Sequence, residues 1–195
     1  MDIPATVRAH DDRLTRRMAA WDSPWARRVL PPVEEAAEHT KVWWAAATAM
    51  ALGGGWRGRR AATAGIAGMA MAEVLSNAVA KQLVERRRPP KEWIPHDDVE
   101  DRPDSSSFPS GHTAAAVAFT AAVAPTWPWA AAACAVPAAL VGIERIHSGA
   151  HYPSDVATGL VIGVACAALV RTAPRRLLRR WLPTAPSAVA STYGS

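Results

Sequence analysis

A chain of 195 residues is the size of one domain, and its two isolated cysteines, Cys134 and Cys166, lie inside apolar runs without metal-ligand spacing. Half of the composition is hydrophobic, yet mean hydropathy is only −0.02, because much of the apolar content is alanine and the charges concentrate between apolar runs. A net charge of +5 would suit nucleic acid, but the basic residues flank those runs and form no aromatic-interleaved stripe, so the expected partner is anionic lipid.

The first forty residues contain no signal-peptide core. Val7, Leu14, Met18, Trp21, Trp25 and Val29 recur at helical spacing, with Arg8, Arg13, Arg16, Arg17, Arg27 and Arg28 between them. This pattern describes a basic amphipathic helix, either lying on a membrane surface or packed on loops of the same protein. Pro24 and the Pro31-Pro32 pair are expected to break it.

Apolar runs follow from Val42 to Trp56, Ala61 to Val84, Thr113 to Pro125, Trp127 to Ile143 and Val156 to Val170. A bilayer span needs about 20 apolar residues, so most of these runs are short unless flanking residues join the helix. Buried helices of a soluble protein are the alternative. Trp43, Trp44, Trp56, Trp127, Trp129 and Trp181 mark the run ends, where indoles collect at the headgroup level, and this favours a membrane. The expected fold is all-α, an integral membrane bundle of about five transmembrane helices with an N-terminal amphipathic helix. It divides into an interfacial segment (1–40), a transmembrane domain (41–182) and a polar tail (183–195).

Three clusters interrupt the apolar pattern. In the first, Lys81 and Arg88 share a face if the second helix continues that far, with Asn77 and Glu73 at four-residue steps behind Lys81. Arg86 and Arg87 are expected to snorkel to the interface. In the second, Ser110 can cap the next helix, so that the N–H groups around Gly111 and His112 offer an anion site; alone, such a sequence is more often only a cap. In the third, Arg145, His151 and Asp155 lie between the fourth and fifth runs. Asp155 is placed to accept from one nitrogen of His151 and leave the other free. With alternating spans, all three clusters emerge on one membrane face. The acidic stretch Asp97, Asp98, Glu100, Asp101 and Asp104 lacks a recognisable metal-ligand loop. Gly159 and Gly163 form a small-x3-small pattern that more often means close packing within one chain than a dimer contact, so the oligomeric state stays open.

The pattern Lys81-x6-Arg88-Pro89, Pro109-Ser110-Gly111-His112, Arg145-x5-His151-x3-Asp155 resembles the three-part signature of type 2 phosphatidic acid phosphatases. The short length, the Trp43-Trp44 start and the Arg145–His151 run also look like compact actinobacterial members, some similar to decaprenylphosphoryl-phosphoribose phosphatases. The resemblance implies a metal-independent lipid phosphatase without cofactor, in the bacterial inner membrane. It makes His151 the nucleophile, Asp155 its orienter and His112 the general acid, with Lys81, Arg88, Ser110, Gly111 and Arg145 on the phosphoryl oxygens. Family members usually carry serine where this chain has Glu144, which either removes a phosphate hydrogen bond or fixes Arg145. A vanadate-dependent haloperoxidase shares the signature but is usually larger and soluble. A lipid phosphotransferase and a non-catalytic lipid-phosphate carrier are the remaining alternatives. Basic residues at the end opposite the clusters, with the resemblance to members acting at the outer leaflet, tip the expectation toward an extracytoplasmic site.

Overall fold

The computed structural model describes residues 4–80, 82, 84–95 and 105–181, with the side chains of 79–80 and 173–181 excepted. Every regular element among them is helical: α1 (Ala5–Ala19), α2 (Pro24–Ala37), α3 (Lys41–Gly53), α4 (Gly55–Glu73), α5 (Gly111–Val123), α6 (Pro128–His147) and α7 (Pro153–Trp181). Helices α3 to α7 fall on the five apolar runs. Two stretches, Pro128–His147 and Pro153–Thr172, are long and apolar enough to cross a membrane, and α5 is a shorter apolar helix.

The bundle centres on α5, which packs between α4, α6 and α7. Alanine carries this packing, because a face with no side chain beyond Cβ lets helices approach closely. Trp43, Met69, Phe119 and Val123 fill the space the alanines leave, with Trp43 and Phe119 rings 5.4 Å apart. Trp43 is therefore a core residue and not a headgroup anchor; Trp44, Trp56 and Trp129 are exposed. Gly159 and Gly163 on α7 face α5 so tightly that a Cβ would come within 2.5 Å of the Ser110 carbonyl oxygen and 2.7 Å of the Ala114 carbonyl oxygen, respectively. The small-x3-small pattern thus serves packing within the chain. Cys134 and Cys166 are buried free thiols in the same apolar surroundings.

At one end of the bundle, the Arg57 Nε–H donates to the Thr126 carbonyl at 2.7 Å, which joins the α3–α4 and α5–α6 turns. The signature clusters lie at the other end. Pro24 begins α2 behind the Ser23 cap, as proline at a first helical position does. Pro31 and Pro32 do not break that helix, which runs on to Ala37. The amphipathic pattern is also turned around: α1 buries Asp11, Thr15 and Ala19, while Val7, Leu14, Trp21 and Trp25 stay exposed.

Candidate phosphoryl-transfer site

After α4 the chain winds into a π-helical stretch, Val74–Ala80, and from Val84 to Pro90 it is not helical. This changes the expected geometry of the first cluster. A wider turn shifts side chains off the four-residue register, and Arg88 lies beyond the helical residues, so Glu73, Asn77 and Arg88 do not share one helical face as expected. Lys81 itself lies outside the described residues. Arg88 reaches the site from the extended segment: its Nη1 donates to the Ala150 carbonyl at 2.8 Å, and its Nε donates to the Ser105 carbonyl at 3.2 Å.

Ser110 caps α5, its Oγ accepting from Thr113 N–H at 3.4 Å and lying 2.9 Å from Thr113 Oγ1. The Ser110 N–H donates to the Asp155 main-chain carbonyl at 3.1 Å, which locks the start of α5 against the start of α7. Gly111 sits directly beside Asn77, where a Cβ would lie 3.0 Å from the Asn77 Oδ1. His112, half-buried, follows on the first turn of α5.

The third cluster occupies the turn from α6 to α7. Gly149 takes a positive φ of 66°, a conformation glycine adopts without steric cost, and the chain then doubles back so that His151 N–H donates to the Arg145 carbonyl at 2.9 Å. His151 is buried, with Nδ1 2.5 Å from the Ser107 carbonyl oxygen. A carbonyl only accepts, so Nδ1 carries the proton and Nε2 keeps its lone pair. Burial holds the imidazole well below its ordinary pKa of 6.5, and Arg88 adds to the effect, while the bond to Ser107 works the other way. The ring is therefore neutral and nucleophilic at neutral pH.

Asp155 does not accept from His151, contrary to expectation. Its oxygens are taken by the Arg86 Nη1 at 2.5 Å and the Tyr152 main-chain N–H at 2.8 Å, so it braces the turn that carries the histidine. The reason is the helix start: with Pro153 in the first turn of α7, the Asp155 carboxylate folds back onto the Tyr152 N–H, while the Ser107 carbonyl reaches the ring from the segment that precedes α5.

Arg86 is the residue that sequence reasoning missed. Expected to snorkel, its side chain is only 10% exposed; it donates to Asp11 at 2.7 Å and Ser154 Oγ at 2.8 Å as well as to Asp155, and lies 3.9 Å from the centre of the Tyr152 ring. Asp11, from α1, accepts in addition from the Ser154 N–H at 3.0 Å and the Ser154 hydroxyl at 2.6 Å. Within a run of three arginines, nothing in the sequence separates Arg86 from the exposed Arg87. Glu34, from α2, was missed as well, because its partner is far away in the chain: it accepts from Arg145 Nη2 at 2.6 Å. Glu144 accepts from Arg145 Nε, so the glutamate at the usual serine position does fix the arginine. Among the described residues, no three His, Cys, Asp or Glu side chains form a group able to hold a metal ion.

The structure thus gathers two histidines, Arg88, Arg145 and a capped helix start at one end of an all-helical bundle, an arrangement suited to binding a phosphoryl group and attacking it with an imidazole. The profile of the PAP2 superfamily matches residues 61–179, and the chain belongs to that superfamily. It is 35% identical over 125 residues to the decaprenylphosphoryl-5-phosphoribose phosphatase of Mycolicibacterium smegmatis, covering 63% of this chain and 64% of that one. It is 47% identical over 57 residues to the lipid A 1-phosphatase of Rhizobium etli, covering 29% of this chain and 25% of that protein. The chain therefore spans between a quarter and just under two thirds of these curated relatives. The crystal structure of a transmembrane PAP2 type phosphatidylglycerolphosphate phosphatase from Bacillus subtilis has the same fold, with a TM-score of 0.66 at 20% identity over 89% of each chain.

Proposed function

We propose that this chain is a multi-pass membrane phosphatase that hydrolyses the phosphate monoester, or pyrophosphate, of a lipid through a phosphohistidine at His151. The observation that carries the reading is the His151 ring: buried, neutral, its Nδ1–H committed to the Ser107 carbonyl and its Nε2 lone pair available. Nε2 attacks phosphorus in line with the ester oxygen; the P–O bond breaks as the P–N bond forms, and His112 gives its proton to the departing oxygen. Water, losing a proton to His112, then attacks phosphorus, breaks the P–N bond and releases inorganic phosphate. Arg88, Arg145, Lys81, Ser110 and the N–H groups at Gly111 bind the phosphoryl oxygens, and Asp155 acts through the turn it braces. Side-chain cations take the part a metal would play, and no cofactor enters.

An apolar groove of about 710 Å³ between α5, α6 and α7 supports a lipid substrate. Thr113 and Val156 line its end nearest the site, and Ala124 and Pro128 its far end. The relatives' substrates point to polyprenyl-linked phosphates ahead of phosphatidic acid. Helices α3 to α7 are read as the membrane helices, and the exposed apolar stripe of α1 and α2 as an interfacial surface, with the site on the extracytoplasmic side of the inner membrane.

The test is to quench turnover of a ³²P-labelled lipid monophosphate in alkali and digest the protein. Label on the peptide bearing His151, absent from His151→Ala, is expected. Phosphate release without any label on protein would remove the covalent mechanism, and binding without release would make the chain a carrier.

A further inference from the structure

We propose that Asp11, on the N-terminal helix α1, is a positioning residue for the nucleophile: through Arg86 it fixes both the turn that carries His151 and the carbonyl that holds the His151 ring. The inference rests on the phosphatase reading above. It puts a determinant of turnover outside residues 61–179, the stretch that the superfamily profile matches.

Arg86 meets the surroundings of His151 from two directions. Its guanidinium donates through Nη1 to Asp155 at 2.5 Å and to Ser154 Oγ at 2.8 Å, and it lies 3.9 Å from the centre of the Tyr152 ring, so it grips the residues that follow His151 in the chain. Its main-chain carbonyl accepts from the Ser107 N–H at 2.9 Å, and its own N–H donates to Ser106 Oγ at 3.2 Å. Ser107 is the residue whose carbonyl oxygen lies 2.5 Å from His151 Nδ1. One residue therefore ties the ring's acceptor to the turn that bears the ring.

A long arginine side chain keeps one position only if its end is bonded from several sides. Asp155 and Ser154 supply one side, and Asp11 Oδ2, accepting from Arg86 Nη2 at 2.7 Å, supplies the other. The same carboxylate accepts from the Ser154 N–H at 3.0 Å and the Ser154 hydroxyl at 2.6 Å. That N–H belongs to the first turn of α7, where no helical carbonyl is available to it, so Asp11 brings both the missing acceptor and a negative charge to the helix start. Burying a carboxylate is costly unless its charge and lone pairs are met; Asp11 is only 3% exposed, and Arg86 and Ser154 meet it. A contact that served only to dock α1 could end anywhere on the bundle. This one ends on the arginine that joins Ser107 to Asp155.

The test begins with Asp11→Asn, which keeps the size of the side chain and an acceptor for the Ser154 N–H but loses the charge that holds Arg86. Rates are taken on monodisperse full-length protein in detergent, below the unfolding midpoint. A misplaced nucleophile should lower kcat about 10–100-fold with KM nearly unchanged. The loss should be the same on soluble p-nitrophenyl phosphate as on a lipid monophosphate. A loss confined to the lipid, or a raised KM at unchanged kcat, would assign Asp11 to substrate or membrane binding and overturn the positioning role. Arg86→Lys keeps a charge but cannot bridge Asp11 and Asp155, and it should give the same split. In the double variant the two losses should not multiply, because both cut one link; losses that multiply would separate Asp11 from Arg86 and overturn the inference. Ser154→Ala cuts the same link more mildly and should lower kcat to a smaller degree, so it decides the question if either charged-group variant fails to fold. The ring is read without turnover in protein carrying ¹⁵N-labelled histidine. The His151 Nδ1–H, assigned by its loss in His151→Ala, should give a downfield proton resonance that Asp11→Asn shifts or loses to exchange with water. If wild type releases phosphate from neither substrate, the phosphatase reading fails and this resonance still decides whether Asp11 positions the ring. A resonance unchanged in Asp11→Asn would overturn the inference.

Discussion

His151 and His112 can be separated by the leaving group. A general acid matters only when the departing oxygen is basic, so His112→Ala should lower turnover of an alkyl phosphate by about 10²–10⁴-fold and that of p-nitrophenyl phosphate far less. Equal losses on the two substrates would remove His112 from the acid role. The pH dependence isolates His151. Protonation destroys its nucleophile, and burial with Arg88 pushes that protonation well below pH 6.5, so the acid limb of kcat/KM should fall below 6.5 and activity should persist where an ordinary histidine is mostly charged. An acid limb centred above 6.5 would show that the ring is not held as described. At this scale the motif residues are legible in the sequence because their types and spacings match the superfamily's three-part pattern. Arg86, Asp11 and Glu34 are not legible, since each acts through a partner 69 to 111 positions away in the chain.

The element most exposed to substitution is the α5–α7 contact. A Cβ at Gly163 would lie 2.7 Å from the Ala114 carbonyl oxygen and 2.8 Å from the Val117 Cβ. Gly163→Ala must therefore push two backbones apart, at a cost of about 1–3 kcal/mol. It should lower the unfolding midpoint in detergent, and because Ser110 and Asp155 are joined across the same contact, it should also lower kcat. An unchanged midpoint would mean that the helices are not so close. The π-helical turn at Val74–Ala80 is an element that the apolar pattern does not reveal, because i→i+5 winding keeps the same composition and changes only which way each side chain points.

Orientation belongs to the whole molecule. Arg57, Arg59 and Arg60 share an end with the α5–α6 turn, opposite the site, and under the orientation proposed above that end faces the cytoplasm, as the positive-inside rule predicts. With Cys134 and Cys166 replaced, a cysteine at the exposed Glu92 should be labelled in intact cells by an impermeant maleimide, and one at the exposed Arg59 should not. The reverse pattern would place the site inside. The same scale holds the role of α1 and α2: Asp11 and Glu34 clamp Arg86 and Arg145, so the segment read as an interfacial appendage is bonded into the site.

The sequence by itself determined the helical class, the runs on which α3 to α7 fall and the three-part motif that marks the superfamily, because apolar patterning and motif spacing are both local properties of the chain. Only the tertiary structure decided that His151 is held by the Ser107 carbonyl and not by Asp155, that Arg86 is drawn into ion pairs while Arg87 is exposed, and that Glu144 and Glu34 share Arg145. Those outcomes depend on which of several equivalent donors and acceptors the packing of distant helices brings within hydrogen-bond reach, and residue type alone does not distinguish among them.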